Sequence, residues 1–300
     1  MQDFIQHLIN GINLGSIYAL IALGYTMVYG ILQMINFAHS EVYMIGAFSA
    51  YYMARFLGIE NDPGLTTFAI LILTSMVTCS LLALTIERFA YRPLRKAPKL
   101  NVLITAIGVS LLLQYSGQAF FGADPKVFPE VLKDRVLFSA GNIQLKLTDI
   151  TVFSVSILAM LLLHRIIYFT KMGQAMRAVS MNPGVAQLLG VNPHRTIAFT
   201  FIVGSCLAAI GSVLVGMKYP KIEPLMGTMI GLKAFVAAVM GGIGNIQGAV
   251  LGGIIMGLSE EMVVGYISST YRDALAFGIL ILILIFKPAG LFGKFVTEKV

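Results

Sequence analysis

The sequence has no tryptophan, only two cysteines and little charge: 12% of its 300 residues are Asp, Glu, Lys or Arg, against 57% hydrophobic. A water-soluble domain carries about a quarter charged residues, so this chain cannot cover a surface in water. Cys79 and Cys206 both sit inside apolar runs, and no CxxC or other metal or redox spacing occurs. GxxxxGK[ST], HExxH and GxSxG are also missing, which excludes a nucleotide-binding P-loop, a zinc-protease helix and a hydrolase elbow within these residues. His7, His39, His164 and His194 lie far apart. No catalytic residue, metal ligand or cofactor is therefore assigned, and the chain is not expected to be an enzyme by itself.

What is present is long apolar stretches. Runs of about 20 residues, each able to cross a bilayer, recur at 4–29, 34–57, 64–86, 100–121, 149–169, 196–217, 228–265 and 272–287. They lack the short alternation of a membrane barrel. The expected fold is all-α: a polytopic helical membrane protein with about eight membrane segments and one transmembrane domain over 1–300. The N-terminal MQDFIQHLIN has no positive n-region and no small-residue cleavage site, so it reads as an uncleaved first span.

The formal net charge of +7 could suggest nucleic acid, but the basic residues fall in short clusters between apolar runs. Arg88, Arg92, Arg95, Lys96 and Lys99 form one cluster. Arg165, Lys171, Arg177 and Arg195 form a second, and Lys287, Lys294 and Lys299 a third. This is the positive-inside pattern, and nucleic acid is not an expected partner. No basic residue precedes Arg55, and the loop at 58–63 carries Glu60 and Asp62. The N-terminus is therefore expected outside and the C-terminus in the cytoplasm, with the charge-balanced 122–148 loop external.

Three stretches carry candidate function. In MINFAHSEVYMIGAF (34–48), Asn36, His39, Ser40 and Glu41 precede an apolar run. Ionisable groups at membrane depth are costly, so these residues either line a polar path or lie at the cytoplasmic interface, with Ser40 or Asn36 capping the helix. KMGQAMRAVSMNPGVAQLLGVNPHR (171–195) is too polar to span. It reads as a short helix, a break at Pro183, and a second short helix ended by Gly190. It is either a docking element for a cytoplasmic partner or an amphipathic segment lying on membrane lipid. In GGIGNIQGAVLGG (241–253), Gly241, Gly242, Gly244, Gly248, Gly252 and Gly253 interrupt a stretch too long for one crossing. That predicts a broken or re-entrant helix near 228–265, where the glycines serve either close packing or a break beside the translocation path. Lys233, just upstream, needs a polar neighbour.

NLGSIYALIALGYTMVYGILQMINFAHSEVYMIGA, IERFAYRPLR, AIGVSLLLQ, KMGQAMRA, LLGVN, KAFVAAVMGGIGNIQGAVLGG and KPAGLFG occur in this order. The series resembles the membrane permease subunits of branched-chain amino-acid ABC importers nearly end to end. Ser40 stands where that family usually has Gly, and Gln247 where Pro is common. Ser180 and Met181 replace the usual Ala and acidic residue. The resemblance implies a second related permease subunit, two cytoplasmic ATP-binding subunits and an external, periplasmic substrate-binding protein, placed at a bacterial inner membrane. It implies import of leucine, isoleucine, valine or related amino acids. It also makes 171–195 the ATPase-coupling loop, with Gly173, Arg177, Ala178, Asn182, Ala186, Leu189 and Gly190 as its candidate residues. Asn36, His39, Glu41, Lys233, Gly241, Gly242, Gly244 and Gly248 are the candidates for a translocation path or helix break. A gradient-driven secondary transporter is the competing expectation, since it too needs no P-loop.

Overall fold

The computed structural model describes residues 2–95, 97–141 and 143–293. Lys96, Lys294 and Lys299 of the predicted basic clusters lie outside them. The apolar runs form helices α1 (Gln2–Leu32), α2 (His39–Leu57), α3 (Leu65–Ile86, extended by a π-helical turn at Glu87–Tyr91), α4 (Lys99–Phe121) and α5 (Leu147–Phe169). After two short helices, α6 (Lys171–Met181) and α7 (Pro183–Leu188), come α8 (Pro193–Lys218), α9 (Met226–Gly241), α10 (Ile246–Tyr266) and α11 (Arg272–Phe286). Among the described residues, seven helices are long and apolar enough to cross a membrane, the last counted over Ser269–Phe286. Two others complete the layer: α9, with 16 residues, and α2, whose first turn is polar. The chain is a multi-pass membrane protein.

Among the candidate spans, α1 has the most buried apolar stretch. Its Gly11 and Gly15 face Gly253 and Gly257 of α10, four residues apart on each helix. A Cβ on Gly15 would lie 2.7 Å from the Ile254 Cα, and one on Gly253 2.5 Å from the Ala19 backbone nitrogen. Small residues at this spacing let two membrane helices touch backbone to backbone. On its other flank, α1 meets α8 where Gly24 approaches Gly204.

Polar connections sort to two ends. At one end, strand β1 (Lys126–Val127), after α4, pairs with β4 (Lys221–Ile222), after α8. There too, β2 (Val136–Ala140) and β3 (Ile143–Lys146) form an antiparallel hairpin with a bulge between Val136 and Phe138. The Gln144 backbone N–H of that hairpin donates to Gln6 Oε1 of α1 (2.8 Å). Sequence reasoning treated 122–148 only as a loop. Its alternation is too short to stand apart from loop composition, and the hairpin depends on packing against α1.

At the opposite end, Tyr91 Oη donates to Asn36 Oδ1 (2.6 Å), Arg95 Nη1 lies 2.6 Å from His194 Nδ1, and Asn245 Nδ2 donates to the Phe292 carbonyl (3.0 Å). The predicted long stretch at 228–265 is two antiparallel helices, α9 and α10, that reverse at 242–245. Gly241 and Gly248 meet there carbonyl to backbone, and Gly242, at φ +102°, takes a conformation that favours glycine.

Candidate functional site

The segment at 171–195 has the local grammar its sequence implies. Thr170 Oγ1 caps α6 by accepting from the Gly173 N–H (3.1 Å). Gly173 lies so close to the Ile167 carbonyl that a Cβ would collide with it. Arg177 turns back to donate to that carbonyl and stacks 5.7 Å over the Tyr168 ring. Ala178 packs against the cluster formed by Val179 and Ala186. Asn182 Oδ1 accepts from Gly184 N–H (2.9 Å) and Val185 N–H (3.1 Å), which starts α7 at Pro183. Gly190 follows α7 at φ +83°, its N–H donating to the Gln187 carbonyl.

Ala186 turns inward, while Met181, Leu188 and Leu189 are 88%, 87% and 77% exposed. Beside them, Arg95 Nη1, which can only donate, meets His194 Nδ1 as its acceptor.

No side chain of the Asn36–Glu41 cluster caps α2. Ala38 is the N-cap of α2, with no side-chain capping bond, and α2 begins at His39, not at 34. His39 packs against Gly24, about 12 Å inside the Leu32 end of α1 at 1.5 Å per residue. The chain re-enters the helical layer before its helix starts, because Phe37, Ala38 and His39 are drawn into the packing of α1, α8 and α9. The four polar residues then diverge. Asn36 bonds Tyr91, and His39 lies edge-on to Tyr25 at 4.9 Å between ring centroids. Ser40 Oγ donates to the Phe37 carbonyl (2.7 Å). Glu41 faces a cavity of about 160 Å³ between α2, α4 and α9, lined also by Ser110, Gln114 and Thr228.

Lys233 does not join Glu41. Thr228 and Lys233 are five residues apart on α9 and face directions about 140° apart at 100° per residue. Lys233 Nζ instead bonds Glu260 Oε1 of α10 (2.8 Å) and Asp273 Oδ1 of α11 (2.7 Å). Glu260 also accepts from Tyr18 Oη (2.8 Å) and pairs with Arg272, which reaches Glu261 Oε1 at 3.5 Å. Sequence reasoning missed Glu260, Tyr18, Ser110, Gln114 and Thr228. Two adjacent glutamates inside an apolar span, with a lysine in the preceding one, were the available signal for the first.

The glycine cluster gathers none of these groups. Gly241 and Gly248 pack on each other, Gly242 lies against Gly290, and Gly244 sits near Gly30. The cavity is lined by none of the four; their contacts are backbone-to-backbone packing at the α9–α10 reversal.

Over residues 7–284 the chain matches the family described as branched-chain amino acid transport system / permease component. It is 43% identical to the high-affinity branched-chain amino acid transport system permease protein BraD of Pseudomonas aeruginosa, over 99% of this chain and 98% of that one. It is 42% identical to LivH of Escherichia coli K12 over the same shares. A probable LivH of Methanocaldococcus jannaschii is 28% identical over 93% of this chain and 89% of that protein. The family match and the full-length identity agree: the chain belongs to the permease-component family of branched-chain amino-acid transport systems.

Proposed function

We propose that the chain is a membrane-spanning subunit of an ATP-driven importer that carries branched-chain amino acids across a bacterial inner membrane. Identity of 43% and 42% to BraD and LivH over nearly the whole of each chain carries this reading. Its working partners are a second related permease, two cytoplasmic ATPases and an external substrate-binding protein. The end bearing Arg88, Arg92, Arg95 and 171–195 is cytoplasmic, by the basic-residue asymmetry, which puts the N-terminus outside and the C-terminus inside.

The sequence has no P-loop, so force must arrive by contact. The exposed apolar turn of Met181, Leu188 and Leu189, carried by capped helices and tied to α5 by Arg177, supports 171–195 as the ATPase-coupling loop. Gly190→Glu places a bulky anion at a positive-φ position. It is expected to leave the helical layer folded while copurification with the ATPases or coupled hydrolysis is lost.

Reconstitution tests the whole reading. Leucine uptake into proteoliposomes should require ATP, the ATPases and the binding protein. Uptake by the chain alone, driven by an ion gradient, would replace this reading with a secondary transporter. Unchanged import by Gly190→Glu would move 171–195 to the lipid surface.

A further inference from the structure

Five carboxylates are buried among the described residues, and four of them have a cation. Glu87 pairs with Arg95, Asp149 with Lys218, Glu260 with Lys233 and Arg272, and Glu261 with Arg272. Glu41, only 1% exposed, pairs with none. Its Oε1 has two long contacts, 3.4 Å from Ser40 Oγ and 3.5 Å from Ser110 Oγ, and its Oε2 has no hydrogen-bond partner. The Ser40 hydroxyl is already committed to the Phe37 carbonyl.

An uncompensated carboxylate in a helical layer carries a desolvation penalty of several kcal/mol. Packing alone gives no reason to hold one beside open space. Gly227 of α9 gives the carboxylate its room: a Cβ there would lie 2.9 Å from Glu41 Oε2. Across the cavity, Gln114 Nε2 donates to Thr228 Oγ1 (3.1 Å), which leaves the Thr228 hydroxyl proton for another acceptor. Ile107, Leu111 and Leu232 supply an apolar flank. The site thus offers a carboxyl group that no cation occupies, a hydroxyl donor and an apolar surface.

We propose that the Glu41 carboxylate is the acceptor for the substrate's α-ammonium group as the amino acid passes the helical layer. The proposal rests on the functional reading above and deepens it. A zwitterionic amino acid must shed water from its ammonium group to pass between helices. Glu41 offers that group a charge-assisted hydrogen bond, the Thr228 hydroxyl can donate to the substrate carboxylate, and the apolar flank receives the aliphatic side chain. The missing cation of the fifth buried carboxylate is thereby the substrate's own.

The test uses the complete reconstituted importer, with ATP-dependent uptake of radiolabelled leucine and ATP hydrolysis measured on the same preparation. Glu41→Gln is expected to lower uptake about tenfold or more, the range set by one charge-assisted hydrogen bond. Subunit copurification and binding-protein-stimulated hydrolysis should persist, and Glu41→Asp should restore part of the uptake. Wild-type uptake by Glu41→Gln overturns the proposal, as does Glu41→Asp being no better than Glu41→Gln. If Glu41→Gln fails to assemble, Thr228→Val and Ser110→Ala take its place: lowered uptake with hydrolysis retained supports the site, and unchanged uptake in both overturns it. A wild-type complex without ATP-dependent leucine uptake would instead remove the functional reading itself.

Discussion

Glu260 and Glu41 are buried in the same helical layer on opposite flanks of α9, and they are treated in opposite ways. Glu260 is fully buried and receives Lys233, Arg272 and Tyr18, which ties α1, α9, α10 and the start of α11 together. Glu41 has two long hydroxyl contacts and open space. A carboxylate held by three donors is fixed in one arrangement, with its charge already offset by two cations. A carboxylate without a counter-ion destabilises the fold and stays available. Burial alone therefore does not distinguish the two carboxylates; the missing partner and the adjoining cavity do.

The contrast is broken most severely at the paired end. Glu260→Ala leaves the two cations Lys233 and Arg272 without their shared anion, and removing one partner of a buried pair costs about 3–5 kcal/mol. Thermal unfolding in mild detergent should show it as the largest loss among the substitutions considered. The double variant Lys233→Met with Glu260→Met should lose less than the sum of the two singles, because both singles break the same Lys233–Glu260 contact. Strict additivity would mean that the network contributes no coupling.

Next in size are the helix approaches that hold the two flanks in place. Gly241→Leu would drive a side chain into the backbone of Gly248, with an expected cost of about 1–3 kcal/mol or more. Gly265→Leu meets the His7 ring, a side chain that can swing away, so its loss should be smaller. Gly278→Leu meets nothing within 4 Å and should be silent. Equal losses at all three sites, measured by the same unfolding assay, would show that backbone contact at the α9–α10 turn has no special weight.

These two regions were unequally legible in the sequence. Span positions were readable because apolar length is a one-dimensional property, and the break in 228–265 announced itself through glycine. The α6–α7 caps were readable because Asn182, Pro183 and Gly190 act on their own backbone. The pairing of Lys233 with Glu260 was not, since those residues are 27 positions apart and meet only through the α9–α10 reversal. The depth of Glu41 was hidden for a related reason. Its neighbours MINFAHSE look like an interfacial helix start, and only the packing of His39 on Gly24 carries them inside. Gln114 and Thr228 are unremarkable polar residues until α4 and α9 place them around one cavity.

The smallest effect on stability belongs to the unpaired end, and it sharpens the comparison most. Glu41→Gln keeps the shape of the side chain and preserves an oxygen for the Ser110 and Ser40 hydroxyls, while removing a charge that no cation offsets. The amide brings its own donors to the Oε2 position, which has no hydrogen-bond partner. Replacing an unpaired buried charge relieves its desolvation penalty, and an unsatisfied amide hydrogen costs about 1–3 kcal/mol. The two terms oppose, so the net change should stay within about 1 kcal/mol. Glu260→Gln, the same chemical change, loses the charge that two cations share and should fall well outside that range. Both variants are to be unfolded side by side in the same detergent. If Glu41→Gln is destabilised as strongly as Glu260→Gln, Glu41 is holding the fold through a partner of its own, and the distinction between a structural and an available carboxylate fails.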